Sequence, residues 1–458
     1  MYNTKLHFHF TGIGGSGMSG LAEILLNLGF RVSGSDLKVN AACRRLQNLG
    51  AVVHAGHTTS NLPQEASLLV YSSAVDPANP EVIEAKERRI PVIRRAEVLA
   101  ELMRLKFGVC VAGSHGKTTT TSMLASVMQA AALDPTVIIG GQAKALQSGG
   151  RLGRGEFLVA ESDESDRSFL MLKPTIAVIT NIDNEHVGAY AGFSELEESF
   201  EKFLQAVPFY GLAILCIDDP RVRELAQRFQ GRQITYGFSP DARVAAKISD
   251  LNSGISKYEI FIDGESRGQV ELHMPGRHMV QNSLAAFALA LELDIPLDTV
   301  KEALQSFAGV ERRSEVLLNT ENLMIINDYA HHPTEIKATI TAIKESWHDR
   351  AGRIVVVFQP HRYSRTRDCF AEFITAFQEC DLLVTTDIYP ASEAALEGIS
   401  GELLHEAIAH TKKLYVKEIE ELPQRVRSLL QSRDVVLCLG AGSIGALAHQ
   451  LAEECGNC

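Results

Sequence analysis

The densest chemical signal in the sequence is Val111-Ala112-Gly113-Ser114-His115-Gly116-Lys117-Thr118-Thr119-Thr120-Thr121, which follows an apolar strand-like run and opens a helix-forming stretch. Glycine there lets backbone N–H groups curl around phosphate oxygens, and the helix N-terminus adds positive potential. In this pattern Gly113, Ser114, His115, Gly116, Lys117, Thr118 and Thr119 cradle ATP. Lys117 reaches the β- and γ-phosphates, and Thr118 offers its hydroxyl to Mg²⁺. The first glycine of the usual phosphate loop is Val111 here, so the motif is the shorter Gly-x-x-Gly-Lys-Thr. A glycine-capped turn with an exposed lysine is the competing reading. The strand before it and the threonine run after it favour the nucleotide.

Magnesium takes hard oxygen ligands, and an ion on a nucleotide calls for a carboxylate at a neighbouring strand end. Glu161 meets that requirement: it ends Phe157-Leu158-Val159-Ala160 and heads Glu161-Ser162-Asp163-Glu164-Ser165-Asp166. A solvated acidic loop is the alternative. One strand further on, Thr180-Asn181-Ile182-Asp183-Asn184-Glu185-His186 puts a histidine and more oxygen donors on the same sheet edge. His186 then completes a second metal site, or is a structural loop histidine.

Such residues need a scaffold that brings strand ends together. Strand-like runs alternate with helix-length amphipathic stretches nearly throughout, the pattern of α/β architecture with parallel sheets. A first block has strands at 5–11, 31–35 and 68–73. A second has strands at 107–112, 157–160, 175–182 and 212–217, with a helix over 118–132. Between about 237 and 275 the period switches to alternation, with Asp263-Gly264 as a turn, which predicts an antiparallel annex. A helix over 278–293 closes that block, and 309–313 reads as a boundary. The third block has strands at 323–326, 354–358, 382–386 and 435–439. The expected division is 1–106, 107–313 and 314–458.

Composition narrows the function. The 458 residues carry a net charge of −12, which argues against a sequence-independent grip on nucleic acid. No run approaches the ~18 apolar residues of a membrane span, and Met1-Tyr2-Asn3-Thr4-Lys5 leads into a strand without a signal-peptide core. A cytoplasmic protein is the expectation. The eight cysteines have no C-x-x-C spacing and read as buried free thiols.

Two further glycine turns compete for attention. Gly12-x-Gly14-x-x-Gly17 follows a strand, and Asp36 closes the next strand at the ~20-residue distance of a dinucleotide fingerprint. Taken alone it points to an NAD-dependent oxidoreductase. Gly440-Ala441-Gly442-Ser443-Ile444-Gly445 reads as a tight strand-to-helix turn instead.

With the phosphate loop, Glu161 and His186 in this order, the sequence resembles the Mur ligase family of peptidoglycan synthesis over essentially its whole length. Three long segments look like the members that add L-alanine to UDP-N-acetylmuramate: His9 to Gly20, Asn327-Asp328-Tyr329-Ala330-His331-His332-Pro333, and Phe358-Gln359-Pro360-His361-Arg362-Tyr363-Ser364-Arg365-Thr366-Arg367. The resemblance implies a Rossmann-like UDP-sugar domain, a central ATPase domain and a Rossmann-like C-terminal domain that brings the amino acid. It implies an acyl phosphate made from ATP and attacked by the amine, with ADP and phosphate released. By the same resemblance Gly14, Gly15, Ser16, Gly17, Asp36, Ser72 and Ser73 lie at the UDP-sugar. Asp328 holds the ATP ribose, with Arg312 or Arg313 near the nucleotide. His361, Arg362 and Arg365 face the substrate carboxylates, with Tyr329, His331 and His332 nearby. Arginine's planar fork suits a carboxylate.

The chain departs from the family pattern at Met279, where His-Asn-x-x-Asn becomes His278-Met279-Val280-Gln281-Asn282, leaving Asn282 as the expected adenine contact. It departs again at Phe193 to Phe200, where a lysine that related ligases carry as a carbamate is missing. Glu197 there is either a substitute carboxylate or a helix-surface residue. Competing readings are the peptide-recycling ligase of the same family, the oxidoreductase, and an ATP-binding regulator without catalysis. Oligomeric state stays open.

Overall fold

A computed structural model describes residues 5–72, 75–143, 148–184, 190–350, 352–391 and 393–456. Its strands form three sheets, and the chain packs as two compact units. One comprises Met1–Lys247, Glu259–Val270 and Gln281–Val310; the other comprises Ile248–Tyr258, Glu271–Val280 and Glu311–Cys458.

The first unit opens with a five-stranded sheet in the order Val52–Ala55, Arg31–Asp36, His7–Thr11, Leu68–Tyr71, Val92–Arg94, parallel throughout. Strand residues alternate between its faces. Phe8 and Phe10 go to an apolar layer with Leu21, Leu25 and Phe30. His7, His9 and Thr11 take the opposite direction and meet a polar one.

A ten-stranded sheet carries the phosphate loop. Its parallel heart runs Thr136–Ala143, Phe157–Glu161, Phe107–Ala112, Ile176–Ile179, Leu212–Cys216, Gln233–Gly237. Parallel strands buried on both faces need continuous apolar runs, and Val109, Cys110, Val111 and Ala112 are each 0% exposed. The strand that feeds the phosphate loop is flanked by two strands that come later in the chain. Their C-terminal ends, Glu161 and Thr180-Asn181, therefore border the loop, as at the switch point of a doubly wound sheet. The sheet continues through Val244–Asn252, Ile255–Ile262 and Glu265–Leu272. Two-residue connections join these three, which only antiparallel neighbours allow. Both turns have two left-handed residues, Ser253-Gly254 and Asp263-Gly264, as a tight hairpin requires.

The second unit holds a six-stranded sheet in the order Glu315–Asn319, Leu323–Asp328, Asp434–Leu439, Ile354–Phe358, Leu382–Thr385, Lys413–Tyr415, parallel except for the first pair. Helices cover both faces with separate apolar layers. The strands absent from the sequence reading are mostly short edge pieces, such as Val92–Arg94 and Lys413–Tyr415. The seven described cysteines are free, six of them buried. Among the described residues no helix is long and apolar enough to cross a membrane.

Candidate functional site

Val111 sits inside the strand, paired with Glu161 on one side and Val178 on the other. Extended backbone there needs no glycine, so the turn begins at Gly113. Gly113 has φ +132°, and a Cβ on it would collide with the Thr180 hydroxyl oxygen. Gly116 has φ +81° and starts the helix Lys117–Ala130, which no side chain caps. A Cβ there would meet the Asn282 amide at 2.7 Å, so Asn282 lies directly against the loop. The next strand end stitches the loop in place. Asn181 accepts from the His115 amide (2.9 Å), the Thr180 hydroxyl donates to the His115 carbonyl (2.7 Å), and Ser114 Oγ accepts from the Asp183 amide (2.8 Å). His115 Nε2 lies 2.9 Å from the Asp183 carboxylate.

Lys117 does not point to solvent. Its ammonium donates to the carbonyls of Gly113 (2.6 Å) and Ser114 (3.1 Å) and to both oxygens of Glu164 (3.0 and 2.9 Å). Glu164 is fully buried, and burial raises its carboxyl to about 7, against the pull of Lys117. The chain reaches that position because Glu161 ends the neighbouring strand and the next residues fold back under a short turn, Ser168–Met171. Phe169 in that turn packs against Phe200 and Phe203 at 5.3 and 5.2 Å. Thr118 on the first helical turn and Glu161 on the adjacent strand end are hard oxygen donors, a set that fits Mg²⁺. His186 lies outside the described residues.

At the first glycine turn, Asp36 is engaged inside the turn: it accepts from the Gly14 amide at 2.9 Å, while Asn40 donates to the Gly14 carbonyl at 3.0 Å. A dinucleotide site needs that carboxylate on a ribose, so this use of Asp36 argues against the NAD reading. The helix Ser16–Asn27 has Gly15 as its N-cap and no side-chain cap. Ser72 lies beside Gly12, and the Arg95 guanidinium lies beside Gly17. Ser73 lies outside the described residues. The last glycine turn differs. Gln359 fills its helix start, accepting from the Ile444 amide (3.0 Å) and donating to Ser443 Oγ (3.1 Å). A strand-to-helix turn already capped is not a phosphate cradle.

In the second unit a ladder of rings and guanidinium groups crosses the strand ends. Arg312 and Arg313 lie over Tyr329 (4.9 and 5.1 Å), Tyr329 meets His331 (5.2 Å), His331 meets His361 (5.9 Å), and His361 stacks on Tyr389 (5.6 Å). Arg365 Nη1 lies 3.1 Å from His361 Nδ1. Burial, then His331 and the arginines, lower His361 to about 3, so its ring is neutral and accepts from Arg365. Arg362 is exposed at the head of the helix Tyr363–Asp368, with φ +71°. His332 caps the helix Pro333–Ser346, with Glu335 accepting from the His331 amide at 3.1 Å. Asp328 is buried and holds the chain entering the unit, accepting from the amides of Ser314 (2.6 Å) and Ala330 (2.7 Å). Arg312 donates to the Gly440 and Gly442 carbonyls at 2.5 and 3.1 Å.

Residues 7–107 match the Mur ligase family catalytic domain, 111–290 the Mur ligase middle domain, and 312–442 the Mur ligase glutamate ligase domain. The chain belongs to the Mur ligase family. It is 49% identical to a UDP-N-acetylmuramate–L-alanine ligase of Geobacter sulfurreducens over 97% of this chain and 96% of that one. A protein of that name from Desulfotalea psychrophila is 48% identical, each covered in full. Among solved structures, the UDP-N-acetylmuramate-alanine ligase MurC of Thermotoga maritima superposes with a TM-score of 0.85 at 28% identity, over 99% of both chains. A murein peptide ligase of Psychrobacter arcticus gives 0.73 at 21%, also over 99% of both, a likeness of fold alone.

As a Mur ligase the chain keeps its departures where the sequence put them. Met279 is buried, 3% exposed. Glu197 lies on the helix Phe193–Gln205 and pairs with Arg221 at 2.8 Å, as a helix-surface residue does. Several residues at these sites escaped the sequence reading, among them Tyr389 and Asn40. Glu164 was legible only as one member of an acidic run, and Arg95 only as half of the pair Arg94-Arg95.

Proposed function

We propose that this Mur ligase joins L-alanine to the lactyl carboxylate of UDP-N-acetylmuramate, using ATP and releasing ADP and phosphate, in peptidoglycan precursor synthesis. The observation that carries the reading is full-length identity near one half to ligases of that name. In this reading residues 1–106 carry the UDP-sugar, 107–313 the ATP and 314–458 the amino acid. The substrates are small molecules, and the reaction takes place in the cytoplasm.

The lactyl carboxylate attacks the γ-phosphorus and ADP leaves. The amine of L-alanine then attacks the acyl carbon, loses a proton, and displaces phosphate. Such transfers depend on positioning and charge neutralisation more than on covalent help from the protein. Lys117 brings positive charge to the β- and γ-phosphates, the amides at the start of Lys117–Ala130 add theirs, and Asn282 contacts the adenine. Thr118 and Glu161, with His186, would hold Mg²⁺, which would supply further positive charge at the phosphates. The Gly14–Gly17 turn, with Gly15 and Ser16, receives the diphosphate of the sugar, with Ser72 and Ser73 nearby, and Asp36 shapes that turn through the Gly14 amide. Arg312, Arg313 and Asp328 serve the nucleotide. His361, Arg362 and Arg365, with Tyr329, His331 and His332, orient the carboxylates, the neutral His361 ring as a hydrogen-bonding surface.

The test is phosphate release from ATP, Mg²⁺ and UDP-N-acetylmuramate with L-alanine or the tripeptide L-alanyl-γ-D-glutamyl-meso-diaminopimelate. Release that requires L-alanine is expected. Release with the tripeptide only, or with neither amine, would overturn the assignment.

A further inference from the structure

Glu161 and Glu164 stand three residues apart in one acidic run, yet only Glu161 ends the strand beside the phosphate loop. Glu164 is 0% exposed, and the charged partner the structure gives its carboxylate is Lys117. A buried ion pair of this kind adds little net stability, because desolvating both charges offsets their attraction. Its presence at the lysine of the phosphate loop therefore calls for a role other than holding the fold. The platform is firm: the Glu164 carbonyl accepts from the Tyr190 hydroxyl (2.5 Å) and the Arg167 amide (3.1 Å), and Arg167 lies 4.7 Å over the Tyr190 ring. The ammonium has three protons, and four of its acceptors among the described residues lie within 3.1 Å. A contact to a loop carbonyl can therefore be exchanged for a phosphate oxygen while Glu164 keeps its hold.

We propose that Glu164 is the positioning residue for Lys117, a buried counter-charge that fixes where the ammonium meets the nucleotide phosphates. The proposal rests on the ATP reading of the loop and adds a group outside the phosphate-loop motif. Placement matters because a displacement of about 1 Å in a reacting constellation costs on the order of 100-fold in rate.

Two variants test it, with ATP varied at saturating UDP-N-acetylmuramate and L-alanine and rates corrected for the folded fraction. Glu164→Gln keeps the shape and removes the charge. It should melt within about 3 °C of the parent, with kcat lowered at least about tenfold and KM for ATP changed less than about threefold. Glu164→Asp keeps the charge on a shorter arm and should fall between the two. A parent-like kcat in Glu164→Gln, or a loss confined to KM, overturns the proposal. Should Glu164→Gln fail to fold, Glu164→Asp carries the same test, and a parent-like kcat in it overturns the proposal. Should the parent itself release no phosphate with these substrates, the amide-bond reading fails separately. The proposal is then read from ATP binding: Glu164→Gln must shift the ATP dissociation constant, within the same threefold limit, in the parent but not in a Lys117→Ala background, and no shift in the parent or equal shifts in both overturn it.

Discussion

Glu81 and Glu164 are both 0% exposed, and their carboxyls are driven in opposite directions. Glu81 lies under the first sheet, where one oxygen accepts from His9 (3.3 Å), Thr11 (2.9 Å) and Ser35 (2.6 Å) and the other from Asn61 (2.8 Å). Burial alone would raise its carboxyl, but these bonds and the neighbouring His9 lower it to about 2. Glu164 has the Lys117 ammonium, shared with two backbone carbonyls, and its own amide, and burial, with Asp163 nearby, takes it to about 7. The number of donors that complete a buried carboxylate, rather than its depth, decides whether its charge is settled. The settled one belongs to the framework of the first sheet, and the unsettled one faces the lysine of the phosphate loop.

The contrast is sharpened first by removing the other half of the loop pair. Lys117→Ala should cut phosphate release by about a thousandfold while leaving the fold cooperative. Loss of less than tenfold would mean that the lysine does not serve the transferring phosphate. Next comes the framework glutamate. Glu81→Ala leaves its four donors without their acceptor and should cost about 3–5 kcal/mol in urea denaturation. Glu164→Gln keeps an acceptor oxygen for an ammonium that also holds two loop carbonyls, so it should cost less, about 1–2 kcal/mol in the same measurement, and a reversal of this order would break the comparison.

Acid separates the regions more gently. Glu81 sits below its ordinary value of 4.5, so its contribution is present above pH 4.5 and lost as pH falls toward 2. It amounts to roughly 3 kcal/mol. In the second unit burial lowers His278 to about 4 and His361 to about 3, below the ordinary 6.5. Their neutral forms are the folded ones, so the unfolded chain gains protons first, and stability there declines from pH 6.5 downward. The single tryptophan, Trp347, lies in the second unit and reports it. Its fluorescence should change at higher pH than the far-ultraviolet circular dichroism of the whole chain, and coincident transitions would contradict the assignment. Smallest of all, Gln359→Ala removes the cap on the Ile444 amide and should cost about 1 kcal/mol in urea denaturation without changing the ATP dissociation constant.

The parts of this molecule legible in sequence are those whose meaning is local. The phosphate loop, the strand ending at Glu161 and the Asp263-Gly264 turn each carry their geometry in a few adjacent residues. Val111 looked like a defect only because the motif is counted from a glycine; doubly paired strand backbone needs none. What stayed hidden depends on distant partners. Arg312 meets Gly440 across 128 residues, Glu81 meets His9 across 72, and Glu164 meets Lys117 across 47. No periodicity marks such pairs. Asp36 was visible as an acidic strand end, but its engagement with Gly14 rather than with a ribose belongs to the folded turn.

In the proposed reaction the carboxylate of the sugar substrate takes the γ-phosphoryl group before the amide bond forms. UDP-N-acetylmuramate labelled with ¹⁸O in its lactyl carboxylate, incubated with ATP, Mg²⁺, L-alanine and the enzyme, tests it directly by mass spectrometry of the released phosphate. One carboxylate oxygen should be transferred to each phosphate. Phosphate without the label, alongside formation of the amide, would contradict it.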